Sequence, residues 1–362
     1  MNKNNYAIIM AGGVGTRFWP KSKKNLPKQF IDILNTGETL IQSTFKRLSN
    51  CVRTENIYVI TNENYAQLCV DQLKIKKENI FLEPIMRNTA PCIAYSSFKI
   101  KEKNPHANIL VCPSDHIVHD NILFSEIITK SLHISSNSEI IITLGIKPTR
   151  PDTGYGYIQF EENSMSIENK EISKVKTFTE KPSQSLALQF IDSGDFLWNS
   201  GMFIFNVNTI INSFKTHLNE IYETFNDASD IYWTKKEHKY IQRFFPACKN
   251  ISIDYGILEK SDNVYVYPSS FGWSDLGTWG SIYSISEKDE NQNIISGEKV
   301  ITYDCTNSIF NISNDKLLIA HGLDNYIVIE SNNNILICKK EDEQKVKNFV
   351  NDIKVKFGEE RI

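Results

Sequence analysis

The sequence predicts an α/β protein built on a mostly parallel mixed sheet, followed by a small β-rich C-terminal domain. Three observations carry this. Short apolar runs alternate with helix-length segments through the first half, the first run empties into a glycine-rich loop, and after Glu287 the chain breaks into short β-like pieces separated by Asn, Asp and Gly. Alternation of this kind places helices on both faces of a sheet whose strands are buried on both sides. It predicts a larger domain over residues 1–287 and a smaller one over 288–362 that ends in a helix.

The first strand is the apolar run that begins at Tyr6, and Ile57–Thr61, Ile80–Leu82, Ile109–Cys112 and Ile140–Leu144 read as the next buried strands. Between them, Tyr65–Leu73, Thr89–Lys103 and Leu123–Ser136 have helical length and periodicity. From Thr153 to Pro268 the pattern is mixed, with strands near Tyr157–Phe160, Ile172–Thr179 and Met202–Phe205 and helices at Ser183–Asp192 and Asn206–Phe225. In the last part Val300–Tyr303, Ser308–Ile312, Leu317–Ala320, Tyr326–Glu330 and Ile335–Cys338 are β-like, and Glu341–Val355 is an amphipathic helix. No crisp six-residue repeat is visible there.

Composition excludes several classes. The 362 residues are 41% hydrophobic and 23% charged with a net charge of −3, as in ordinary globular proteins. No long basic block favours nucleic acid, and no apolar stretch is long enough for a membrane span. Met1-Asn-Lys-Asn-Asn5 leads straight into a strand, unlike a signal peptide. The seven cysteines are odd in number and lack Cys-x-x-Cys spacing, which points to free core thiols in a reducing cytoplasm. The seven histidines show no metal-ligand spacing.

Chemistry is concentrated in Tyr6-Ala-Ile-Ile-Met-Ala-Gly-Gly-Val-Gly-Thr-Arg-Phe-Trp-Pro20 and Pro27-Lys28-Gln29-Phe30. Gly12, Gly13 and Gly15 allow backbone N–H groups close to a phosphate chain, and Arg17 and Lys28 supply neutralising charge. A Walker A loop needs Gly-Lys-Ser/Thr where this chain has Gly15-Thr16-Arg17, and a dinucleotide fingerprint needs a third glycine where Phe18 stands. A lone Gly-Gly-x-Gly also suits an ordinary strand-to-helix turn. The added Thr16-Arg17 and Pro27-Lys28 favour a triphosphate site. Ligands of such sheets gather beyond the carboxyl ends of the strands, where Pro113-Ser-Asp115 also falls.

These two stretches resemble the signature of the sugar-1-phosphate nucleotidyltransferases. Phe18-Trp-Pro20 and Lys28-Gln-Phe30 are similar to the bacterial mannose-1-phosphate guanylyltransferase (GDP-mannose pyrophosphorylase) branch of that family. Glu83-Pro-Ile-Met-Arg-Asn-Thr-Ala-Pro91, Phe178-Thr-Glu-Lys-Pro182, Trp198-Asn-Ser-Gly-Met202 and Gly272-Trp-Ser-Asp-Leu-Gly-Thr-Trp279 extend the likeness over most of the chain. The resemblance implies a Rossmann-like, GT-A-like nucleotidyltransferase fold. It also implies a left-handed β-helix-like C-terminal domain with a part in assembly, as a homodimer through that region. The implied reaction is GTP + α-D-mannose 1-phosphate → GDP-mannose + pyrophosphate, with Mg²⁺. The chain stops where longer relatives carry an isomerase domain, so a second activity is not expected.

A sugar-phosphate oxygen is already ionised at neutral pH, so such a reaction needs no protein base. Positioning and charge neutralisation supply the acceleration. The resemblance assigns Ala11, Gly12, Gly13, Gly15, Thr16, Arg17 and Lys28 to the nucleotide, with Arg17 and Lys28 as the catalytic cations. It assigns Asp115 and Asp275 to the metal, and Tyr155, Gly156, Glu180, Lys181 and Asn199 to the sugar phosphate. Glu83, Asn88 and Thr89 fall beside the nucleobase, where guanine N–H donors need acceptors, although Thr89 suits a helix cap equally well. Asp254 lies in a similar stretch with either a binding or a structural role. Three other readings stay open: the same chemistry on another sugar phosphate or nucleotide, an inactive sugar-nucleotide sensor, and a non-enzymatic assembly protein.

Overall fold

Asn5–Met10 (β1) is buried on both faces, as its unbroken apolar content dictates, and sits inside a nine-stranded sheet. The computed structural model describes residues 1–166 and 169–362. The other sheet strands are β2 (Ile57–Asn62), β3 (Ile80–Glu83), β4 (Asn108–Pro113), β6 (Ile141–Ile146), β7 (Gly156–Ser166), β8 (Asn169–Glu180), β9 (Phe196–Asn206) and β10 (Val264–Ser269). Two-residue strands β5 (Ile117–Val118) and β11 (Trp273–Ser274) lie outside it. The order is β3-β2-β1-β4-β9-β6-β10-β8-β7. β1 to β4 pair in parallel, as the alternation predicts. β9 then runs antiparallel to both β4 and β6, which makes the sheet mixed.

The chain groups into two compact units. One comprises Met1–Gly12, Thr44–Ser114 and Val118–Trp273, and the other Gly13–Ser43, Asp115–Ile117 and Ser274–Ile362. In the first, Tyr6, Ile8, Tyr58, Ile60 and Phe81 pack with Ile93 and Phe98 of the helix Thr89–Lys103 and with Phe214 and Phe225 further along. The helix Asn121–Ser136 buries Phe124, Ile128 and Leu132, with Asp120 accepting from the Ile122 and Leu123 N–H groups as its cap.

In the second unit, β12 (Ile294–Ser296), β14 (Ile309–Asn311) and β16 (Tyr326–Ser331) pair in parallel, and β17 (Asn334–Lys339) closes the sheet antiparallel. β13 (Val300–Tyr303) and β15 (Leu318–His321) form a second parallel pair. Ile294, Ile309 and Ile327 stand in register, as do Val300 and Leu318, so these are stacked coils of a β-helix. Val300, Phe310, Leu318, Ala320 and Val328 fill its interior. The repeat is a whole coil, which explains why no short period shows in the sequence.

Several elements differ from expectation: the helices Leu40–Leu48, Glu237–Phe244 and Trp279–Ile285 and the strand β12 were not expected, and three further differences concern the second half of the chain. The helix expected over Asn206–Phe225 is two, Val207–His217 and Asn219–Asn226. Leu218 between them leaves helical geometry at φ −137° and ψ 57° and buries its side chain. β10 is an additional strand, beside β6. The C-terminal helix starts later, at Val346, after a 3₁₀ segment Lys340–Lys345, and runs to Phe357.

Gly145 in β6 shows how closely side chains of the neighbouring strands β9 and β10 crowd together. A Cβ there would lie 2.6 Å from side-chain atoms of both Leu197 and Val266. Gly145→Ala should cost about 1–3 kcal/mol through overpacking. The expected result is a lower urea midpoint with an unchanged slope.

Candidate functional site

The phosphate loop divides its glycines between different tasks. The Ala11 N–H donates to the Ile60 carbonyl at 2.8 Å, and its carbonyl accepts from the Thr61 hydroxyl at 2.8 Å. Ala11 therefore extends the sheet, and its amide is already engaged. Gly13 is exposed, with open space where a side chain would stand. Gly15 sits at φ +70°, and a Cβ there would fall 2.5 Å from Cβ of Lys28, so both backbone and space require glycine. Its carbonyl accepts from the Phe18 N–H at 3.0 Å, opening a 3₁₀ turn over Thr16–Phe18 that carries Arg17 into solvent.

Gly15, Thr16, Arg17, Lys28, Asp115 and Asp275 line one cleft of about 310 Å³ in the second unit, together with His116, Gly277 and Lys347. Lys28 is 3% exposed. Its ammonium donates to Asp115 Oδ2 at 3.0 Å and to the Asp275 carbonyl at 2.8 Å, and lies 5.3 Å from the centre of the Phe18 ring. Burial pushes the Asp115 carboxyl upward, but Lys28 and His116 outweigh it and hold the group below its ordinary value, hence ionised. Asp275 Oδ1 accepts from the Gly277 N–H at 3.0 Å, and a Cβ on Gly277 would stand 2.7 Å from Oδ2. Two fixed carboxylates in one polar cleft suit a hard divalent cation that completes its shell with phosphate oxygens and water. Among the described residues no group of three or more His, Cys, Asp or Glu forms a metal cage on its own.

The sugar-phosphate candidates lie in the first unit and form a connected set. Gly156 pairs with Glu180 across β7 and β8, and a Cβ at Gly156 would strike the Glu180 carboxylate. The missing side chain thus makes room for Glu180. Burial raises the Glu180 pKa to about 7, with the Asp254 charge adding to the effect. Asn199 Nδ2 donates to Asp254 Oδ1 at 2.7 Å, and its Oδ1 accepts from Thr143 and from the Gly201 N–H. Asp254, ambiguous in the sequence, therefore fixes the orientation of Asn199. Lys181 is exposed, with its backbone at φ +50° and its N–H donating to the Tyr155 carbonyl at 3.1 Å. The Tyr155 ring meets Trp198 edge-on at 4.9 Å.

The nucleobase candidates separate in role. Asn88, not Thr89, caps the helix Thr89–Lys103: its Oδ1 accepts from the Thr89 N–H at 2.9 Å. The Thr89 hydroxyl instead accepts from the Ile253 N–H at 2.8 Å, tying this element to the turn that carries Asp254. Glu83 is 4% exposed, and its Oε1 is buried without a hydrogen-bond partner among the described residues. Burial raises its pKa from 4.5 to about 8. Near neutral pH this carboxyl is mostly protonated, and its Oε1 keeps an unused accepting position. Lys347 and His116 also line the cleft, and the sequence did not single them out, because neither falls in a spacing that marks a site.

The profile of the Nucleotidyl transferase family matches residues 6–292. The chain belongs to that family. A MannoseP isomerase/GMP-like beta-helix domain matches residues 298–353, in agreement with the stacked coils. The chain is 36% identical to the mannose-1-phosphate guanylyltransferase of Salmonella montevideo over 361 residues, covering 98% of this chain and 75% of that one. It is 34% identical to the alginate biosynthesis protein AlgA of Pseudomonas putida, over 95% of this chain and 70% of that one. A crystal structure from Thermus thermophilus, named as a mannose-1-phosphate geranyltransferase, superposes with a TM-score of 0.86 at 27% identity, over 97% of this chain and 99% of that one.

The raised pKa of Glu83 has a sign that can be tested. A carboxyl whose folded pKa exceeds its unfolded one adds stability fully below the unfolded value of 4.5, and that stability is lost as pH rises through about 8. Glu83→Gln removes the buried charge, so it should stabilise the ligand-free protein by about 2–4 kcal/mol near pH 9 and by little near pH 4.5. Urea unfolding at the two pH values measures this, and equal effects would show that Glu83 is not desolvated.

Proposed function

We propose that this chain transfers guanylyl from GTP to α-D-mannose 1-phosphate, releasing pyrophosphate. The observation that carries the reading is the cleft in which Arg17, the glycine turn and two carboxylates converge around the buried Lys28 ammonium. The names of the Salmonella and Pseudomonas relatives supply the substrate class. Geranyl transfer, the activity in the name of the Thermus protein, needs a slot for an apolar chain. The charged cleft favours a polyanion instead.

In this reading an ionised oxygen of the sugar phosphate attacks the α-phosphorus of GTP. The bond from that phosphorus to the bridging oxygen breaks, and pyrophosphate leaves. Arg17 grips phosphate oxygens through its forked guanidinium, and the Gly15–Thr16 backbone cradles them. Lys28 keeps Asp115 ionised and holds it to the Asp275 loop. Asp115 and Asp275 are the residues that would hold Mg²⁺, which when bound lowers the repulsion between the two polyanions. Lys181 meets the sugar phosphate, while Glu180 and Asn199, steadied by Asp254, accept from and donate to sugar hydroxyls. Glu83 accepts guanine N–H donors, which would draw its carboxyl back to the charged form, and the second lone pair of the Asn88 amide oxygen is a further acceptor.

We also infer a reducing, cytoplasmic setting, supported by seven free cysteines that are all buried. No helix of the described residues is long and apolar enough to cross a membrane. A homodimer through the C-terminal region is supported by Ile301, Tyr303, Leu317 and Ile319, exposed apolar side chains on and beside the paired strands β13 and β15. A second copy of the same face is the occupant this surface suits.

The deciding experiment is a pyrophosphate-release assay with GTP, ATP, UTP, CTP and dTTP against mannose, glucose and heptose 1-phosphates. GTP with mannose 1-phosphate should give the highest kcat/KM, and a clear win for glucose 1-phosphate with dTTP or ATP would overturn the specificity. Asp275→Asn should lower kcat by about 10²–10³ with an unchanged circular dichroism spectrum. Near-normal turnover would remove Asp275 from the metal site.

A further inference from the structure

We propose that Lys347, on the C-terminal helix Val346–Phe357, is a phosphate-binding residue of the triphosphate cleft and holds the pyrophosphate portion of the nucleotide. This deepens the proposed function and rests on it for the identity of the substrate. The β-helix region would then contribute a side chain to the reaction itself.

The sequence of that helix sets the geometry. Val346 and Val350 fall on one face and are buried in the same cluster as Phe18, Leu276 and Trp279. Phe18 ends the 3₁₀ turn that carries Arg17. The helix is therefore seated on the back of the phosphate turn, and Lys347, one position round from Val346, lies on the cleft wall with Gly15, Thr16 and Arg17. Contacts at both ends hold it there. Glu343 Oε2 accepts from the Gly280 N–H at 2.6 Å, and the Arg361 carbonyl accepts from Trp19 Nε1 at 2.9 Å.

Charge accounting within the cleft then assigns the task. Lys28 is neutralised by Asp115 at 3.0 Å. Arg17 and Lys347 are exposed, and among the described residues neither side chain makes an ion pair or hydrogen bond. As the α-phosphorus to oxygen bond breaks, negative charge builds on the departing pyrophosphate. A fork-shaped cation beside a mobile point charge is a suitable pair to receive it.

The test uses the full chain with Lys347→Ala and Lys347→Arg, plus Lys347→Gln to retain the stem should alanine disturb folding. Calorimetric titration of inorganic pyrophosphate with Mg²⁺ requires neither sugar nor nucleotide. Loss of the ammonium should weaken pyrophosphate binding about tenfold and raise the GTP KM similarly, with arginine restoring most of both. The KM for mannose 1-phosphate should stay within about twofold. Unchanged pyrophosphate affinity in a folded Lys347→Ala or Lys347→Gln protein would overturn the assignment, as would an equal rise in both substrate KM values. A wild-type protein that binds pyrophosphate through Lys347 yet turns over no GTP with mannose 1-phosphate would instead refute the guanylyl-transfer reading alone.

Discussion

A lysine ammonium removed from water is the constraint on which the phosphate cleft is built. Burying Lys28 incurs a desolvation cost of several kcal/mol, which only close partners can offset. Here they are the Asp115 carboxylate, the Asp275 carbonyl and the face of Phe18. Each belongs to a different stretch of chain, so a single charge joins the glycine turn, the turn after β4 and the loop after β11. The lysine stem leaves no space for a side chain at Gly15, and the left-handed backbone there begins the turn that presents Arg17. The two cations of the signature thus divide the work. Lys28 joins the loops of the cleft from within, and Arg17 lies exposed on its wall.

The first unit uses the opposite electrostatic device. Glu83, Glu180 and Asp254 are carboxyls raised above their ordinary values chiefly by burial. Groups in that condition favour ligands that bring N–H or O–H donors, as a purine edge or a sugar hydroxyl does, because such donors stabilise the charged form. The bond from Ile253 to Thr89 connects the start of the helix Thr89–Lys103 to the turn that holds Asp254, and Asp254 in turn holds Asn199. Thr89, Asp254 and Asn199 therefore share one hydrogen-bonded frame.

Much of the parallel sheet was legible in the sequence, because strands buried on both faces read as near-continuous apolar runs, as the centres of β1, β2 and β4 do. The second helix pair and β10 were less so. Leucine is a good helix former, so nothing local marks the break at Leu218, and the alternating Val and Tyr of β10 give little sign that a strand from far along the chain will join β6. The β-helix was legible only as short β-like pieces, since its repeat is a coil stacked in register and no side-chain pattern at short range marks it.

The amino-acid order by itself determined which chemistry the chain carries. A glycine loop with Thr16-Arg17 and Lys28, Asp115 after an apolar run, Asp275 among aromatic and glycine residues, and Glu180-Lys181 supply residue types suited to phosphate, metal and sugar. Only the tertiary structure decided what each residue does. It buried Lys28 and exposed Arg17, gave the cap to Asn88 and the cross-link to Thr89, engaged the Ala11 amide in the sheet, and brought Lys347 to the wall of the cleft. The physical reason is that charge and hydrogen-bonding capacity belong to a residue, whereas solvation and partners belong to its surroundings. Those surroundings are assembled from segments hundreds of residues apart.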